Sequence, residues 1–472
     1  MTELPRGWVL TTLNDIAATS LGKMLDAKQA TGRYSTPYLR NINVRWGSFH
    51  LSDVASMDIR PDELERVLAR NGDVIACEGG EPGRAAVWRR EQPVALQKAL
   101  HRIRPHQGVC AEYLAFFLRH LATSGTLASL FTGTTIKHLP QEKLRLVVVP
   151  LPPTEEQKRI VTAIEEALSK LDAGEAGLRT TRQLLKRMRQ SVLDSAVAGR
   201  LVPQDPADPA ARDLLDDLGV EMQIDASLPA VPPAWSWARV QDVGVVDLGR
   251  QRSPKYHSGD NMKPYLRVAN VFEDRIDTSD VMEMHFEPEA FERSRLAPGD
   301  ILLNEGQSPE LLGRPAMYRG EPQQVAFTNS LLRFRASTAI EPEWALLVFR
   351  HHMHSGRFTR ESRITTNIAH LSAARFKSVE FPVPPLEEQR RVIGEFARLS
   401  SFLASCEQAI DACCARSAAL RRSVLKAAFE GQLVPQNPAD GSAAVLLDRI
   451  RAERQASDSP KPRGRSRVPS GS

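Results

Sequence analysis

The sequence predicts an α+β fold in which two similar globular halves alternate with two long helices. A proline-rich opening motif, Pro-x-Pro-Pro-x-Glu-Glu-Gln, begins at Pro150 and again at Pro382. A closing motif, Gly-x-Leu-Val-Pro-Gln-x-Pro-Ala-Asp, begins at Gly199 and again at Gly431, at the same spacing. Short apolar runs with Gly and Pro punctuation fill the rest of each half, which is typical of short strands and turns. An internal repeat of this kind predicts a duplicated architecture.

Each copy of the repeat is predicted to form one long helix. A double proline is tolerated at a helix start, and the two glutamates that follow it suit the positive end of the helix dipole. No proline interrupts residues 154–202 or 386–434, so about 45 residues fit into one helix of ~65 Å. Gly199 and Gly431 are suited to end the two helices.

Both helices carry apolar or small residues every seven positions, which predicts a coiled coil. One predicted seam holds Ile164, Leu171, Leu178, Leu185 and Val192, and in the other helix Phe396, Leu403, Ile410, Ser417 and Val424. The second predicted seam holds Ala167, Gly174, Thr181, Met188 and Ser195, and Leu399, Cys406, Cys413, Leu420 and Ala427. We expect the helices to pair antiparallel within the chain. A homodimeric coiled coil is the alternative.

These elements divide the chain into predicted segments. They are a first globular domain at 1–149, a first long helix at 150–203, an acidic linker at 204–230, a second globular domain at 231–381, a second long helix at 382–435, a C-terminal helix at 436–453 and a basic tail at 454–472. The tail is rich in Ser, Pro and Arg, a composition that predicts disorder.

Composition argues against several classes of protein. The formal net charge of +5 over 472 residues is too small to indicate nucleic-acid binding by itself. No apolar run is long enough to span a membrane, and we read no signal peptide at the start, so a cytoplasmic location is expected. The five cysteines show no metal-ligand spacing, so neither a metal nor a cofactor is expected. No phosphate-binding loop of the Gly-x-x-x-x-Gly-Lys-Ser/Thr type occurs.

The doubled motifs, in the order domain, helix, domain, helix, resemble the DNA-specificity subunit of Type I restriction-modification enzymes. The resemblance extends to about Glu453. It implies two target-recognition domains that each read half of a bipartite site in double-stranded DNA, held apart by an antiparallel coiled coil. It also implies two methyltransferase (modification) subunits and two restriction (translocase and nuclease) subunits as partners. Since the chain lacks the Asn-Pro-Pro-aromatic motif of adenine methyltransferases, we expect catalysis in the partners and none in this chain.

The first candidate DNA-binding residues are basic side chains interleaved with an aromatic residue, which suit phosphates and base edges. They are Lys23, Lys28, Arg33 and Tyr34 in the first half, and Arg250, Arg252, Lys255, Tyr256 and His257 in the second. Arg40 with Asn43, and Arg267 with Asn270, lie at matched positions, and Arg suits guanine as Asn suits adenine. The alternative is that these arginines brace the fold through carboxylates.

A second candidate stretch precedes the last predicted strand of each half. Its small hydroxyl, amide and basic side chains are Thr134, Thr135, Lys137 and His138 in the first half, and Arg363, Thr366 and Asn367 in the second. A structural turn is the alternative. Weaker candidates are Gln97-Lys98, Thr328-Asn329, Glu78-Gly79-Gly80 and Glu305-Gly306-Gln307, the last two of which favour tight turns. The run His351-His352-x-His354 favours surface histidines over a metal site.

Two other functions remain open from the sequence. The chain is alternatively a coiled-coil scaffold whose two globular halves bind proteins, or an enzyme with a site in one half. Salt-dependent and sequence-dependent duplex binding separates DNA recognition from the scaffold, and turnover by the isolated chain identifies an enzyme.

Overall fold

The computed structural model describes residues 4–24, 32–220, 228–360, 363–365 and 368–458. The chain divides into two compact units. Unit 1 is Met1–Leu178 with Ala412–Ser472, and unit 2 is Arg179–Asp411. Each unit therefore contains one globular half and a part of each long helix. Three predicted site residues, Lys28, Thr366 and Asn367, lie outside the described residues, as do residues 459–472 of the predicted tail.

The globular half of unit 1 mixes short strands and helices. Its strands are β1 (Val9–Thr12), β2 (Ala17–Leu21), β3 (Ser35–Leu39), β4 (Val44–Arg45), β5 (Ser48–Phe49), β6 (Ala55–Asp58), β7 (Leu68–Ala69), β8 (Val74–Cys77), β9 (Ala85–Val87), β10 (Val94–Leu96), β11 (Leu100–Pro105) and β12 (Val148–Leu151). Its helices are α1 (Leu13–Ile16), α2 (Pro61–Val67), α3 (Ala111–Thr123) and α4 (Gln141–Arg145).

The sheets of unit 1 have the strand orders β1-β12, β6-β3-β10-β7, β2-β11-β8-β9 and β4-β5. The largest core of the unit contains Tyr113 and Phe117 of α3. Phe429 closes on both rings, with centroid distances of 5.2 Å and 5.1 Å. Because Leu425, Phe429 and Ile450 belong to this core, the last segment of the chain completes the first unit.

Two long helices follow, one after each globular half. They are α5 (Thr154–Val197) and α11 (Leu386–Phe429), and each has 44 residues. The prediction of two long helices is therefore confirmed. The buried Gln157 fixes the start of α5, since it accepts a hydrogen bond from the backbone of Cys110 at 2.8 Å. Gln389 does the same for α11, with the backbone of Glu341 as the donor at 2.8 Å.

The globular half of unit 2 has a closely similar element order. Its helices are α6 (Ala211–Asp217), α7 (Pro288–Ser294), α8 (Pro342–His354), α9 (Arg357–Arg360) and α10 (Ala373–Lys377). Its strands are β13 (Ser236–Arg239), β14 (Gly244–Leu248), β15 (Met262–Leu266), β16 (Val271–Phe272), β17 (Arg275–Ile276), β18 (Met282–His285), β19 (Ile301–Asn304), β20 (Gly306–Gln307), β21 (Pro315–Met317), β22 (Ala326–Phe327), β23 (Leu331–Ala336), β24 (Arg363–Thr365), β25 (Ile368–His370) and β26 (Glu380–Val383).

The sheets of unit 2 have the strand orders β13-β26, β14-β23-β19-β21, β18-β15-β22, β16-β17 and β20-β25-β24. The main core gathers Trp344 and Phe349 of α8 around Phe334 and Phe381. Leu193 of α5 joins the same core. Both long helices are thus anchored by burying apolar side chains, the dominant favourable term in folding.

The long helices run antiparallel within the chain. In unit 1, Arg421 binds Asp172 at 2.6 Å and Ser417 donates to Glu175 at 2.7 Å. In unit 2, Arg189 of α5 binds Glu407 of α11 at 2.9 Å, and the side chain of Arg182 binds Asp411. In both units the residue number on one helix rises as that of its partner falls.

The second predicted seam is wrong in the middle of the helices. In the first seam Leu185, Leu403, Ile410 and Ser417 are buried, as expected. In the second seam the exposed residues are Gly174, Thr181, Met188, Cys413 and Leu420. The charged residues that follow three of these positions, Glu175, Arg182 and Arg421, form the contacts between the helices instead. Long charged side chains cover an interface with their aliphatic stems, which a search for apolar residues does not detect.

The closing motif of each helix binds the start of the other helix, and we call each such set of four residues a clasp. The clasp of unit 1 is Gln436, Asp440, Glu156 and Arg159, with a 2.6 Å hydrogen bond from Gln436 to Glu156 and a 2.6 Å ion pair between Arg159 and Asp440. The clasp of unit 2 is Gln204, Asp208, Glu388 and Arg391, with 2.6 Å from Gln204 to Glu388 and an ion pair between Arg391 and Asp208. Burial raises the pKa of both Glu156 and Glu388.

The last helix, α12 (Ala443–Asp458), begins and ends later than predicted. Pro438 lies in a short 3-10 turn, and Gly441 has a φ of 78°, so a regular helix begins only after both. Residues 454–458, predicted as part of the tail, are helical. In the described part of the chain, no helix has the length and apolar character needed to cross a membrane.

Candidate nucleic-acid interface

A tight hairpin loop, Thr132–His138, presents the second candidate stretch of unit 1. Thr132 and His138 exchange two backbone hydrogen bonds of 2.9 Å. Gly133 has a φ of 86°, and a Cβ there would lie 2.2 Å from the carbonyl oxygen of Ile136, so only glycine fits. The exposed residues between the ends of the loop are Thr134, Thr135, Ile136 and Lys137.

A carboxylate anchors this hairpin loop to the rest of unit 1. Nδ1 of His138 lies 3.0 Å from Oε2 of Glu78, and the backbone carbonyl of Glu78 accepts from Leu139 at 2.8 Å. Leu139 is buried, and its own carbonyl contacts His101 at 2.8 Å. The structure thus joins two candidate stretches, Glu78-Gly79-Gly80 and the hairpin loop, that lie about sixty residues apart in sequence.

Unit 2 contains the corresponding hairpin. Strands β24 and β25 pair with each other, and β25 pairs with β20, which places Gly306 opposite His370. Nδ1 of His370 lies 3.4 Å from Oε2 of Glu305, and Leu371 donates to the Glu305 carbonyl at 2.8 Å. Arg363 lies in β24. The anchor of the hairpin is therefore the same pair of residue types in both units.

The first candidate stretches begin where a glycine allows two strands to approach closely. The backbone of Lys23 bonds to Leu96 and Lys98, both at 2.8 Å. A Cβ on Gly22 would lie 2.2 Å from the Leu96 carbonyl oxygen. In unit 2, Arg250 bonds likewise to Phe327 and Asn329, both at 3.1 Å. A Cβ on Gly249 would lie 2.3 Å from the Phe327 carbonyl oxygen. The candidates Gln97-Lys98 and Thr328-Asn329 are thereby brought beside Lys23 and Arg250.

The basic side chains of unit 2 form an ordered aromatic cluster. The Arg250 guanidinium carbon lies 3.9 Å from the centroid of the Tyr256 ring and 4.9 Å from that of Phe286. Lys255 lies 4.7 Å from the Tyr256 centroid. Hydrogen bonds from Arg250 and Lys255 lower the pKa of the Tyr256 hydroxyl. Exposed neighbours are Arg252, Lys255 and His257, so the cluster offers cations at the surface around a half-buried tyrosine.

The corresponding side chains of unit 1 are arranged differently. Lys23 is half-buried and forms an ion pair with Glu63. The hydrogen bond from Lys23 lowers the pKa of the Glu63 carboxyl. Arg33 and Tyr34 are exposed, with the guanidinium 5.6 Å from the ring centroid. The two units therefore share a backbone frame and differ in the groups that they expose.

The matched arginine and asparagine pairs brace the fold. Asn43 is 0% exposed; its amide oxygen accepts from Arg40 N at 2.8 Å, and its amide nitrogen donates to two backbone carbonyls at 3.0 Å and 2.8 Å. Asn270, 2% exposed, repeats this pattern with Arg267. The side chains of Arg40 and Arg267 bind Asp53 and Asp280. As buried amides with their hydrogen bonds satisfied by the backbone, Asn43 and Asn270 do not face a ligand, which corrects their selection as base-reading residues.

The three histidines of α8 hold structural partners. His351 contacts Asp194 at 3.1 Å and His354 contacts Glu273 at 2.9 Å. His352 is 5% exposed and contacts the backbone carbonyl of Glu380 at 2.9 Å, so the expectation of a surface histidine is wrong for this residue. Burial lowers the pKa of His352. No group of side chains suited to hold a metal ion occurs among the described residues.

Sequence reasoning missed Trp46 and Glu81, which line a groove together with residues of the hairpin loop of unit 1. Trp46, on the β4–β5 turn, donates to Glu81 at 3.0 Å, and Glu81 also binds Arg84 at 2.6 Å. Trp46, Ile136 and Lys137 line a groove of about 640 Å³. A Gly-Arg pair follows the Glu-Gly turn in both halves, at Gly83-Arg84 and Gly313-Arg314. This repeated pair was the sequence signal for Arg84, the ion-pair partner of Glu81.

Comparison with known proteins agrees with the fold. A family model described as the Type I restriction modification DNA specificity domain matches residues 5–181. The specificity subunit of the Type I restriction enzyme EcoKI of Escherichia coli (strain K12) is 24% identical over 475 residues, which cover 97% of this chain and 98% of that protein. The EcoBI specificity subunit of Escherichia coli is 28% identical over 406 residues, 80% of this chain and 79% of that protein.

Two solved structures share the fold. One was reported for the complex assembly and conformational transition of the type I R-M system; it has a TM-score of 0.64 at 16% identity and covers 91% of this chain and 99% of its own. The other is the HsdS subunit from Thermoanaerobacter tengcongensis, with a TM-score of 0.54 at 19% identity, 91% of this chain and 98% of its own.

The paired long helices and the mixed α+β halves match the fold of these two structures. The family model and the relatives agree, and the chain is similar to the DNA-specificity subunits of Type I restriction-modification systems. The relatives are named specificity subunits, which agrees with the prediction that the chain is not an enzyme.

Proposed function

We propose that this chain binds a bipartite sequence in double-stranded DNA, with one half-site for each of two repeated target-recognition domains. The observation that carries the proposal is a hairpin anchored by a Glu–His pair in each unit, Glu78–His138 and Glu305–His370. Two such surfaces in one chain suit two half-sites. The anchors are alike and the exposed groups differ, as expected if each domain reads its own half-site.

Exposed cations supply the affinity for the DNA backbone in this proposal. They are Lys98 and Lys137 in unit 1, and Arg252 and Lys255 in unit 2. Cations that neutralise phosphates release counterions, so binding weakens as salt rises. Phosphate contacts position a protein on the duplex, and contacts to base edges specify the sequence.

The long helices carry exposed apolar side chains that support docking of the modification subunits and, through them, the restriction subunits, two of each. Leu184 and Met188, one turn apart on α5, are each 50% exposed, and Phe402 of α11 is 58% exposed. Leu420, on the part of α11 in unit 1, is 45% exposed. Leu184 and Met188 are neighbours on one helix face, and exposed apolar patches mark protein interaction sites, which favours partner helices along this pair.

A binding experiment tests DNA recognition. Methylation mapping in cells that carry the whole system identifies the half-sites, and binding to the mapped duplex and to a scrambled duplex is then measured at several salt concentrations. Lys137→Ala should weaken binding to both duplexes and lower the slope of log affinity against log salt by about 1. Lys158→Ala, an exposed lysine on α5, is the matched control. Equal wild-type affinity for both duplexes would favour the protein-binding scaffold.

A deletion experiment tests the role of the helices as a ruler. We propose that the length of α5 and α11 sets the length of the spacer between half-sites, because helices are stiffer than flexible linkers. Deleting one heptad from the middle of each helix preserves the seam and should change the spacer found by methylation mapping. Retention of the original spacer by a folded, active variant contradicts the ruler.

A further inference from the structure

An exposed isoleucine lies among polar residues on the hairpin loop of unit 1. Ile136 is 62% exposed, between Thr134 and Thr135 on one side and Lys137 on the other. Single exposed apolar residues are common on protein surfaces. This one is distinguished by its place on a loop whose other side chains suit DNA.

Backbone contacts order the hairpin loop that carries Ile136. Its carbonyl oxygen closes against Gly133, the backbones of Thr132 and His138 are paired, and Glu78 anchors His138 at 3.0 Å. A preorganised group loses little conformational entropy on binding. Ile136, Trp46 and Lys137 line the same 640 Å³ groove, so apolar side chains share it with the cation of Lys137.

We propose that Ile136 reads the C5-methyl group of a thymine in the half-site contacted by unit 1. This inference rests on the proposed DNA-binding function. In the major groove the thymine methyl is the apolar feature among hydrogen-bonding base edges, and apolar side chains recognise it by contact. Lys137, the next residue, contacts a phosphate and sets the depth of the loop in the groove.

The test uses the full chain in complex with its modification subunits and the mapped duplex. Each thymine of both half-sites is replaced in turn by deoxyuridine, which removes the methyl group alone. The wild-type complex should bind about four-fold more weakly at one thymine position of one half-site, as expected for the loss of one buried methyl, ~0.8 kcal/mol. The Ile136→Ala complex should bind thymine and deoxyuridine equally at that position and resemble wild type elsewhere.

Leu146→Ala is the matched control, because Leu146 is 69% exposed in the same unit but lies outside the hairpin loop. This variant should keep the wild-type response to every deoxyuridine. The inference is overturned if Ile136→Ala leaves each response unchanged, or if no deoxyuridine weakens binding by the wild-type complex. Failure of the wild-type complex to prefer the mapped duplex overturns the proposed function instead, so the two failures are distinguishable.

Discussion

The two units use the same residues where the chain is held together and different residues at their turns and exposed loops. The hydrogen bonds from Gln436 to Glu156 and from Gln204 to Glu388 have equal lengths of 2.6 Å. By contrast, Trp46 lies at the turn between β4 and β5 in unit 1, and the matching position between β16 and β17 in unit 2 holds Glu273. A duplicated frame thus tolerates unlike loops, because the anchors lie in its backbone and its buried polar pairs.

This one difference changes the contacts made at the two matching turns. Trp46 lies beside Arg119, 5.9 Å from its guanidinium carbon. Glu273 binds Arg350 and His354, both at 2.9 Å, and lines a cavity of about 950 Å³ in unit 2. An aromatic contact in one unit is replaced by a charge network in the other.

The largest expected effect comes from the shared frame. Asp73 and Asp300 are 2% and 1% exposed, and each accepts two hydrogen bonds from an arginine, Arg104 or Arg335, at 2.6–2.7 Å. Asp73→Ala and Asp300→Ala should each lower the free energy of unfolding by about 3 kcal/mol, since a half-buried cation loses its partner. Urea unfolding with hydrogen exchange measures this. A loss of stability from one substitution but not from the other would show that the two units do not depend on this ion pair equally.

The second prediction concerns the unlike corner. Burial alone would raise the pKa of Glu273, but the hydrogen bond from His354 and the charge of Arg350 lower it to about 2. The stabilisation is therefore complete above the ordinary carboxyl pKa and is lost as pH falls towards 2. Glu273→Gln should cost about 2 kcal/mol at pH 7. In the wild type, the protection of α8 amides from hydrogen exchange should decrease as the pH is lowered towards 2. Protection that does not change with pH would contradict the lowered pKa of Glu273.

The clasps provide a smaller effect. Asp208→Ala and Asp440→Ala each remove an ion pair with a partly exposed arginine and should each cost about 1 kcal/mol. Since the two clasps lie in different units and share no partner, the costs should add in the double variant. Chemical denaturation of the single and double variants measures this. A marked departure from additivity would show that the clasps are coupled.

The smallest expected effect lies within the same clasps. Burial raises the pKa of Glu156 and Glu388, so the folded state holds their protons more tightly than the unfolded state does. The resulting stabilisation is present at low pH and is lost as pH rises through the raised pKa. Glu156→Gln and Glu388→Gln keep a carbonyl oxygen for the clasp and remove this loss. Each should add about 0.5 kcal/mol to the free energy of unfolding at pH 7 and flatten the fall in stability as pH rises above the ordinary carboxyl pKa. Variants that unfold more easily than wild type at pH 7 would show that the charge is required.

The long helices were predictable because prolines, glutamates and terminal glycines act locally. The polar part of their interface was not, because an arginine such as Arg421 looks like a solvated residue until its partner is known. The pairing of Glu78 with His138 also joins distant residues, and no local pattern contains it. Asn43 was misassigned because a buried amide that binds backbone and an exposed amide that reads adenine have the same residue type. Single-sequence reasoning therefore reached the frame and only part of the candidate surface.

The discontinuity of unit 1 has a consequence for synthesis on the ribosome. Unit 2 is one uninterrupted segment and can be completed as it emerges, whereas the core of unit 1 needs Phe429 and Ile450. The first half to be translated is thus the last to be finished, and its nascent surface stays apolar while more than two hundred further residues are added. Folding intermediates that expose such surface are prone to aggregate. A chaperone, or rapid translation of the end of the message, would shorten that exposure.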